Sequence, residues 1–187
     1  LSARPGRAAT VLERLGCPSC AGRAADLAIC LRKRRARQLA GRGFNLVLGG
    51  AKPDLVDELT ASGALVEVVS GVRDLADPTA SDKLVEAAMT RFGRIDSAVM
   101  FSGEIITGRF VHSELEQLRS VLVGCIEAPY NFMRAVVPNL IAQGSGQVLV
   151  ITSASAARPT PGAPLYSAAR AQVWRLTARL PMRLAGF

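Results

Sequence analysis

Short apolar runs alternate with helix-period segments along most of this chain. Phe44-Asn45-Leu46-Val47-Leu48 is a first run, closed by Gly49-Gly50, and residues 65–69, 95–100 and 147–152 are three more. Runs of this length bounded by turn residues predict strands, and unbroken apolar character predicts burial on both faces. Between them lie helical segments. Ala36 to Ala40 reads as a helix tail stopped by Gly41 and Gly43. Pro53 to Leu59 has proline in its first turn and Gly63 beyond its end. Asp77-Pro78 opens a helix whose Leu84, Val85, Ala88 and Met89 share one face and which stops near Gly93. Glu114 to Ala142 reads as one long helix, kinked at Pro129 and nearing its end at Pro138. A last helix runs from Tyr166 and is broken or bent by Pro181. This alternation predicts an α/β protein with right-handed crossovers and a doubly wound parallel sheet, whose ligands sit beyond the carboxyl ends of the strands.

Composition narrows the partners. The chain has 187 residues, 49% of them apolar, enough for one domain with a real core. No run approaches the roughly 18 apolar residues of a membrane span, and no secretory leader is visible, so a cytoplasmic protein without a membrane role is expected. The formal charge of +8 is unevenly spread: residues 1–43 carry net +8, residues 44–127 net −6 and residues 128–187 net +6. The basic start contains no aromatic residue, which argues against a folded nucleic-acid surface and for no nucleic-acid partner. Cys17-Pro18-Ser19-Cys20 has redox or metal-knuckle spacing, but Cys30 and Cys125 complete no ligand set, and the single histidine, His112, is distant. No metal site is expected. Residues 1–35 are read as an atypical basic segment ahead of the regular pattern.

The chemistry-bearing residues fall near the carboxyl end of the chain. Ser153 follows a buried strand, where its hydroxyl can face a ligand. Tyr166 lies across a Pro/Gly loop at a helix start, with Arg170 one helical turn further on. A cation near a phenol favours its ionised form and makes it a usable proton donor and acceptor. A serine hydroxyl beside it can hold a carbonyl oxygen on which charge develops. Each also has a purely structural reading, Tyr166 as a half-buried core residue and Ser153 as a strand-ending serine.

Several stretches taken in order resemble the short-chain dehydrogenase/reductase family: residues 37–43 (RQLAGRG), 74–78 (DLADP), 91–96 (RFGRID), 146–153 (GQVLVITS) and 166–170 (YSAAR). The resemblance runs from about Ala36 to the carboxyl end and has an oxoacyl-reductase character. It implies a Rossmann-like domain over residues 36–187, truncated because Phe187 falls where the family's next buried strand begins, which leaves a sheet edge uncovered. It implies an NAD(P)-dependent oxidoreductase acting on a small carbonyl or alcohol substrate. Ser153 and Tyr166 match the catalytic serine and tyrosine, and Arg170 stands in place of the lysine of Tyr-x-x-x-Lys. Asp74 and Leu75 are placed beside the cofactor adenine, and Gly103 matches the last residue of the Asn-Asn-Ala-Gly motif. An oligomer through the long helices, residues 114–142 and 166–180, is expected.

Four departures set up a rival reading, a catalytically inactive relative or interaction module. Counting back from residues 37–41 puts the family's glycine-rich phosphate loop near residues 25–32, where no glycine stands. Such a loop works by letting backbone N–H groups approach a pyrophosphate. Its loss is expected to limit function more than the change at Arg170 does. Met100-Phe101-Ser102-Gly103 replaces Asn-Asn-Ala-Gly, and Val121 stands where an asparagine supports a proton relay. Arginine at 170 keeps the charge but is planar, bulkier and unable to deprotonate. Finally, Gly49, Gly50 and Ala51 offer no acid to hold ribose hydroxyls, and Lys52 follows them. This predicts NADP over NAD.

Overall fold

The computed structural model describes residues 7–12 and 33–178, apart from Arg73 and Glu104. In chain order the strands are β1 (Arg7–Leu12), β2 (Phe44–Gly49), β3 (Val66–Val69), β4 (Ser97–Phe101) and β5 (Gln147–Ile151). The helices are α1 (residues 33–40), α2 (Pro53–Ala61), α3 (Pro78–Phe92), α4 (Leu115–Leu122), α5 (Ala128–Gln143) and α6 (Pro164–Ala178). The strands form one sheet in the order β3-β2-β1-β4-β5, and each pairing is parallel. The expected fold class is therefore present: a Rossmann-like parallel sheet built from the four anticipated runs.

A fifth strand was not expected. β1 lies inside the 1–35 segment and occupies the middle of the sheet, with Val11 opposite Leu48 on one side and Val99 on the other. The order of strands reverses beside it, since the chain builds outward to β3 and then returns across β1 to β4. In an open parallel sheet that reversal opens a crevice beyond the strands' carboxyl ends.

Period-two alternation sorts the strand residues to two faces. Leu46, Leu48, Val99 and Phe101 pack with Ala36, Leu39, Leu55 and Leu59 of α1 and α2. Val47, Ala98 and Met100 pack on the other face with Leu84 and Ala88 of α3 and Phe132, Val136 and Leu140 of α5. Two helix ends show how sequence fixes the geometry. Asp77 caps α3 by accepting from the Thr79 amide at 2.9 Å, with Pro78 in the first turn. Gly93 ends that helix at φ 71°, a left-handed conformation glycine adopts without a Cβ penalty.

The long helix expected over Glu114 to Ala142 is instead divided. α4 and α5 are joined by a π-helical turn, Val123–Glu127, and Pro129 sits in the first turn of α5. A proline has no N–H to give to a carbonyl four residues back, so the widened turn just ahead of it absorbs the missing bond. Pro181 lies outside the described residues.

Candidate active site

The carboxyl ends of β4 and β5 meet the start of α6. After β5 the chain makes a 3-10 turn, Ala154–Ala156, which packs against α6. Ser153 caps that turn: its Oγ accepts from the Ser155 amide and donates to Ser155 Oγ, both at 3.2 Å. The polar run continues. Ser155 Oγ and Thr160 Oγ1 share a bond at 2.6 Å, the Thr160 amide donates to Ser167 Oγ at 3.1 Å, and Ser167 Oγ donates to the Ala163 carbonyl at 2.9 Å. These bonds carry the loop from Ser153 to the residue next to Tyr166. Ser155, Thr160 and Ser167 were not anticipated as site residues, because hydroxyls in a loop look alike until tertiary partners are known.

Tyr166 is the third residue of α6 and is buried against Val121, Cys125 and Ala169. Val121, the substitute for the expected asparagine, is itself fully buried, so it contributes packing and no polar atom here. The Cys125 thiol is drawn inward by the π-helical turn.

Arg170 is 5% exposed. Its guanidinium does not extend toward solvent. Nη2 donates to the Ser102 carbonyl just past β4, and Nη1 donates to the Ile151 carbonyl at the end of β5, at 3.3 Å. Its Cζ lies 5.0 Å from the centroid of the Tyr166 ring, over the ring face. Nε has no hydrogen-bond partner, and neither does the buried Ser102 Oγ beside it. Gly103, with φ +114°, completes the pocket: a Cβ there would collide with the Arg170 guanidinium and approach Cys125 Sγ to 3.1 Å. Gly103, Tyr166 and Arg170 are thus one packed cluster, with Ser153 in the loop beside it.

The other anticipated residues lie along the same edge of the sheet. Lys52 is exposed between β2 and α2 and is the residue from which α2 starts. Asp74 is exposed after β3, and its Oδ1 accepts from the Ala76 amide at 3.0 Å, which forms a tight turn. Leu75 buries its side chain in the core, leaving only backbone groups to a ligand. Asn131 of α5 donates to the Ala76 carbonyl at 2.7 Å and pins this turn to the domain. Residues 25–32, read as the phosphate loop, lie outside the described residues, as do Cys17 and Cys20. The carboxyl end of β1 at Leu12 means that the segment leaving the central strand is residues 13–32, whose glycines are Gly16 and Gly22.

A parallel 3-2-1-4-5 sheet defines the Rossmann-like α/β class, and here a serine, a tyrosine and a cation stand at its carboxyl edge. The chain matches the short chain dehydrogenase family over residues 31–186 and belongs to it. An uncharacterized oxidoreductase of Staphylococcus epidermidis is 26% identical over 151 residues, covering 80% of this chain and 65% of that protein. The glycine betaine reductase ATRR of Emericella nidulans is 30% identical over 156 residues, 81% of this chain and 12% of the much longer enzyme. Among solved structures, acetoin dehydrogenase from Enterobacter cloacae superposes with TM-score 0.75 at 23% identity, over 92% of this chain and 67% of that one. A metagenomic short-chain oxidoreductase in complex with NADP gives 0.74 at 21% identity, over 92% and 73%. These likenesses establish the fold. The chain spans about 65% of the length of the staphylococcal relative.

Proposed function

We propose that this chain carries the nucleotide-binding and proton-transfer parts of an NAD(P)-dependent oxidoreductase that interconverts a small carbonyl compound and an alcohol. The observation that carries this reading is the hydrogen-bonded run from Ser153 to Ser167, which fastens the loop bearing the serine to the helix bearing Tyr166. The residues present fit the adenosine half of a dinucleotide. Lys52 offers an exposed ammonium for a 2′-phosphate, which supports NADP over NAD, and no acid at Gly49, Gly50 or Ala51 competes. Asp74 retains a carboxylate oxygen outside its turn, and the Leu75 backbone adjoins it. The dinucleotide, when bound, supplies the hydride. Tyr166 gives its phenolic proton to the substrate's carbonyl oxygen, and the Ser153 hydroxyl holds that oxygen as charge builds on it. Exposed apolar residues on the long helices, Leu115, Tyr130 and Ile141, support self-association through residues 114–142 and 166–180.

The test is a titration with NADPH and NADH followed by nicotinamide fluorescence, then turnover of a carbonyl panel by the binding form. Tyr166→Phe is expected to lower that turnover by about 100-fold or more, the usual worth of a general acid. Undiminished turnover removes the proton-donor role. A second reading, a nucleotide-binding relative without turnover, is favoured by one observation: the Arg170 guanidinium is already engaged by two backbone carbonyls.

A further inference from the structure

We infer that Arg170 is a specificity-determining residue of the crevice: its guanidinium fills the hollow over Gly103 and must leave before a ligand's second sugar can enter. The inference rests on the dinucleotide reading above. Ligands of open parallel sheets lie against the carboxyl ends of the strands. At β4 and β5 those ends are the carbonyls of Ser102 and Ile151, and both accept from Arg170. The side chain is held from three directions: by two carbonyls, by the face of the Tyr166 ring and by a glycine whose missing Cβ makes the room.

The arrangement is poorly satisfied without a further partner. Arg170 is a buried cation that makes no ion pair among the described residues, and its Nε and the neighbouring Ser102 Oγ lack hydrogen-bond partners. Buried polar groups of this kind are ordinarily satisfied. A ligand that brought hydroxyl or anionic oxygens to this place would meet the Ser102 hydroxyl, but only after the guanidinium swings off the strand ends. Lys52 and Asp74, by contrast, stand exposed just beyond β2 and β3 among the described residues. The described residues therefore leave Lys52 and Asp74 open to the adenosine half of a dinucleotide, while Arg170 resists the other half.

Two measurements decide the matter. The first compares NADPH with adenosine 2′,5′-bisphosphate for the full chain and for Arg170→Ala and Arg170→Lys. Lysine keeps the charge but has no planar fork to bridge both carbonyls. Removing the guanidinium is expected to tighten NADPH by about tenfold, the scale of one net hydrogen bond, and to leave the bisphosphate unchanged. Arg170→Lys is expected to move NADPH in the same direction, which keeps the test open if the alanine variant does not fold. Bisphosphate binding with NADPH unchanged or weakened in both variants overturns the gate and leaves the nucleotide reading standing. Binding of neither compound by any form overturns the nucleotide reading and the gate with it.

The second measurement uses no ligand. Gly103→Ala is expected to lower the melting temperature by several degrees more with Arg170 present than in the Arg170→Ala background. The strain of a left-handed alanine is common to both backgrounds and cancels in the cycle, so the remainder reports the collision. Equal losses in the two backgrounds overturn the placement of the guanidinium over Gly103.

Discussion

A carboxylate that caps a helix titrates with the fold, and Asp77 is such a group. The Thr79 hydroxyl and then the Thr79 amide hold its carboxyl below the ordinary aspartate value of 3.8. Because the folded value is the lower one, the cap's contribution is fully present above 3.8 and is lost as the pH falls through the depressed value. Asp77→Asn keeps a side-chain oxygen for the amide but cannot titrate. The gap in melting temperature between the two proteins should therefore be constant near neutrality and should shift below pH 4. A gap that stays constant through that range would show that Asp77 is uncoupled from folding. The two nearby aspartates show what a sequence tells at this scale. Asp77 was readable as a helix start from the Pro78 that follows it, and it caps α3. Asp74, three residues earlier, closes a turn on the Ala76 amide, a partner that its own sequence neighbours do not announce. Arg170 was legible as a cation one turn beyond Tyr166. Its direction was not, because that is set by the Ser102 carbonyl, 68 residues away in the chain.

At the scale of elements, helix signals read along the chain were local and survived. Pro53, Pro78 and Gly93 mark ends that the structure keeps. The joint between α4 and α5 was less legible, since a proline in a helical pattern announces a disturbance without saying on which side it falls. Here it falls before Pro129, in the π-helical turn. That shift matters to the site, because the turn buries Cys125 against the cluster around Tyr166. α5 itself is anchored by Phe132, 1% exposed and packed with Leu84, Ala88 and Met100 from α3 and β4. Removing the ring by Phe132→Ala leaves a cavity between helix and sheet and should cost about 3–5 kcal/mol of stability in denaturant titration. A loss under 1 kcal/mol would mean that α3 and α5 close over the gap, and that the sheet is not held by this contact.

For the molecule as a whole, four strands were legible because bulky apolar residues fill them and turn residues bound them. β1 was not. Its sequence, Arg-Ala-Ala-Thr-Val-Leu, offers bulky apolar side chains only at its end, in a stretch whose basic charge points elsewhere. The central position of that strand comes from its two neighbours, Phe44–Gly49 and Ser97–Phe101, which no local pattern records. β1 also gives the phosphate loop a second reference point, since the segment that leaves the central strand begins after Leu12. α5 presents its buried residues, Phe132, Val136 and Leu140, at helical spacing to the sheet, so the opposite stripe faces outward. That stripe is Tyr130, Arg134, Pro138 and Ile141, with Tyr130 52% and Ile141 59% exposed. Eleven residues are close to three whole turns, so the tyrosine and isoleucine stand in line on one face. Two copies packed through this face would cover both. A second exposed apolar feature is Leu149 on β5, which is an edge strand among the described residues. An edge offers unpaired backbone groups and invites open-ended addition of strands, whereas a helix face supports a closed pair. Sedimentation of Tyr130→Glu/Ile141→Glu beside Leu149→Lys separates the two. The helix variant should weaken a dimer about tenfold or more, and the edge variant should leave it intact. Loss of association only in Leu149→Lys would move the contact to the sheet edge and set aside the role given to the long helices.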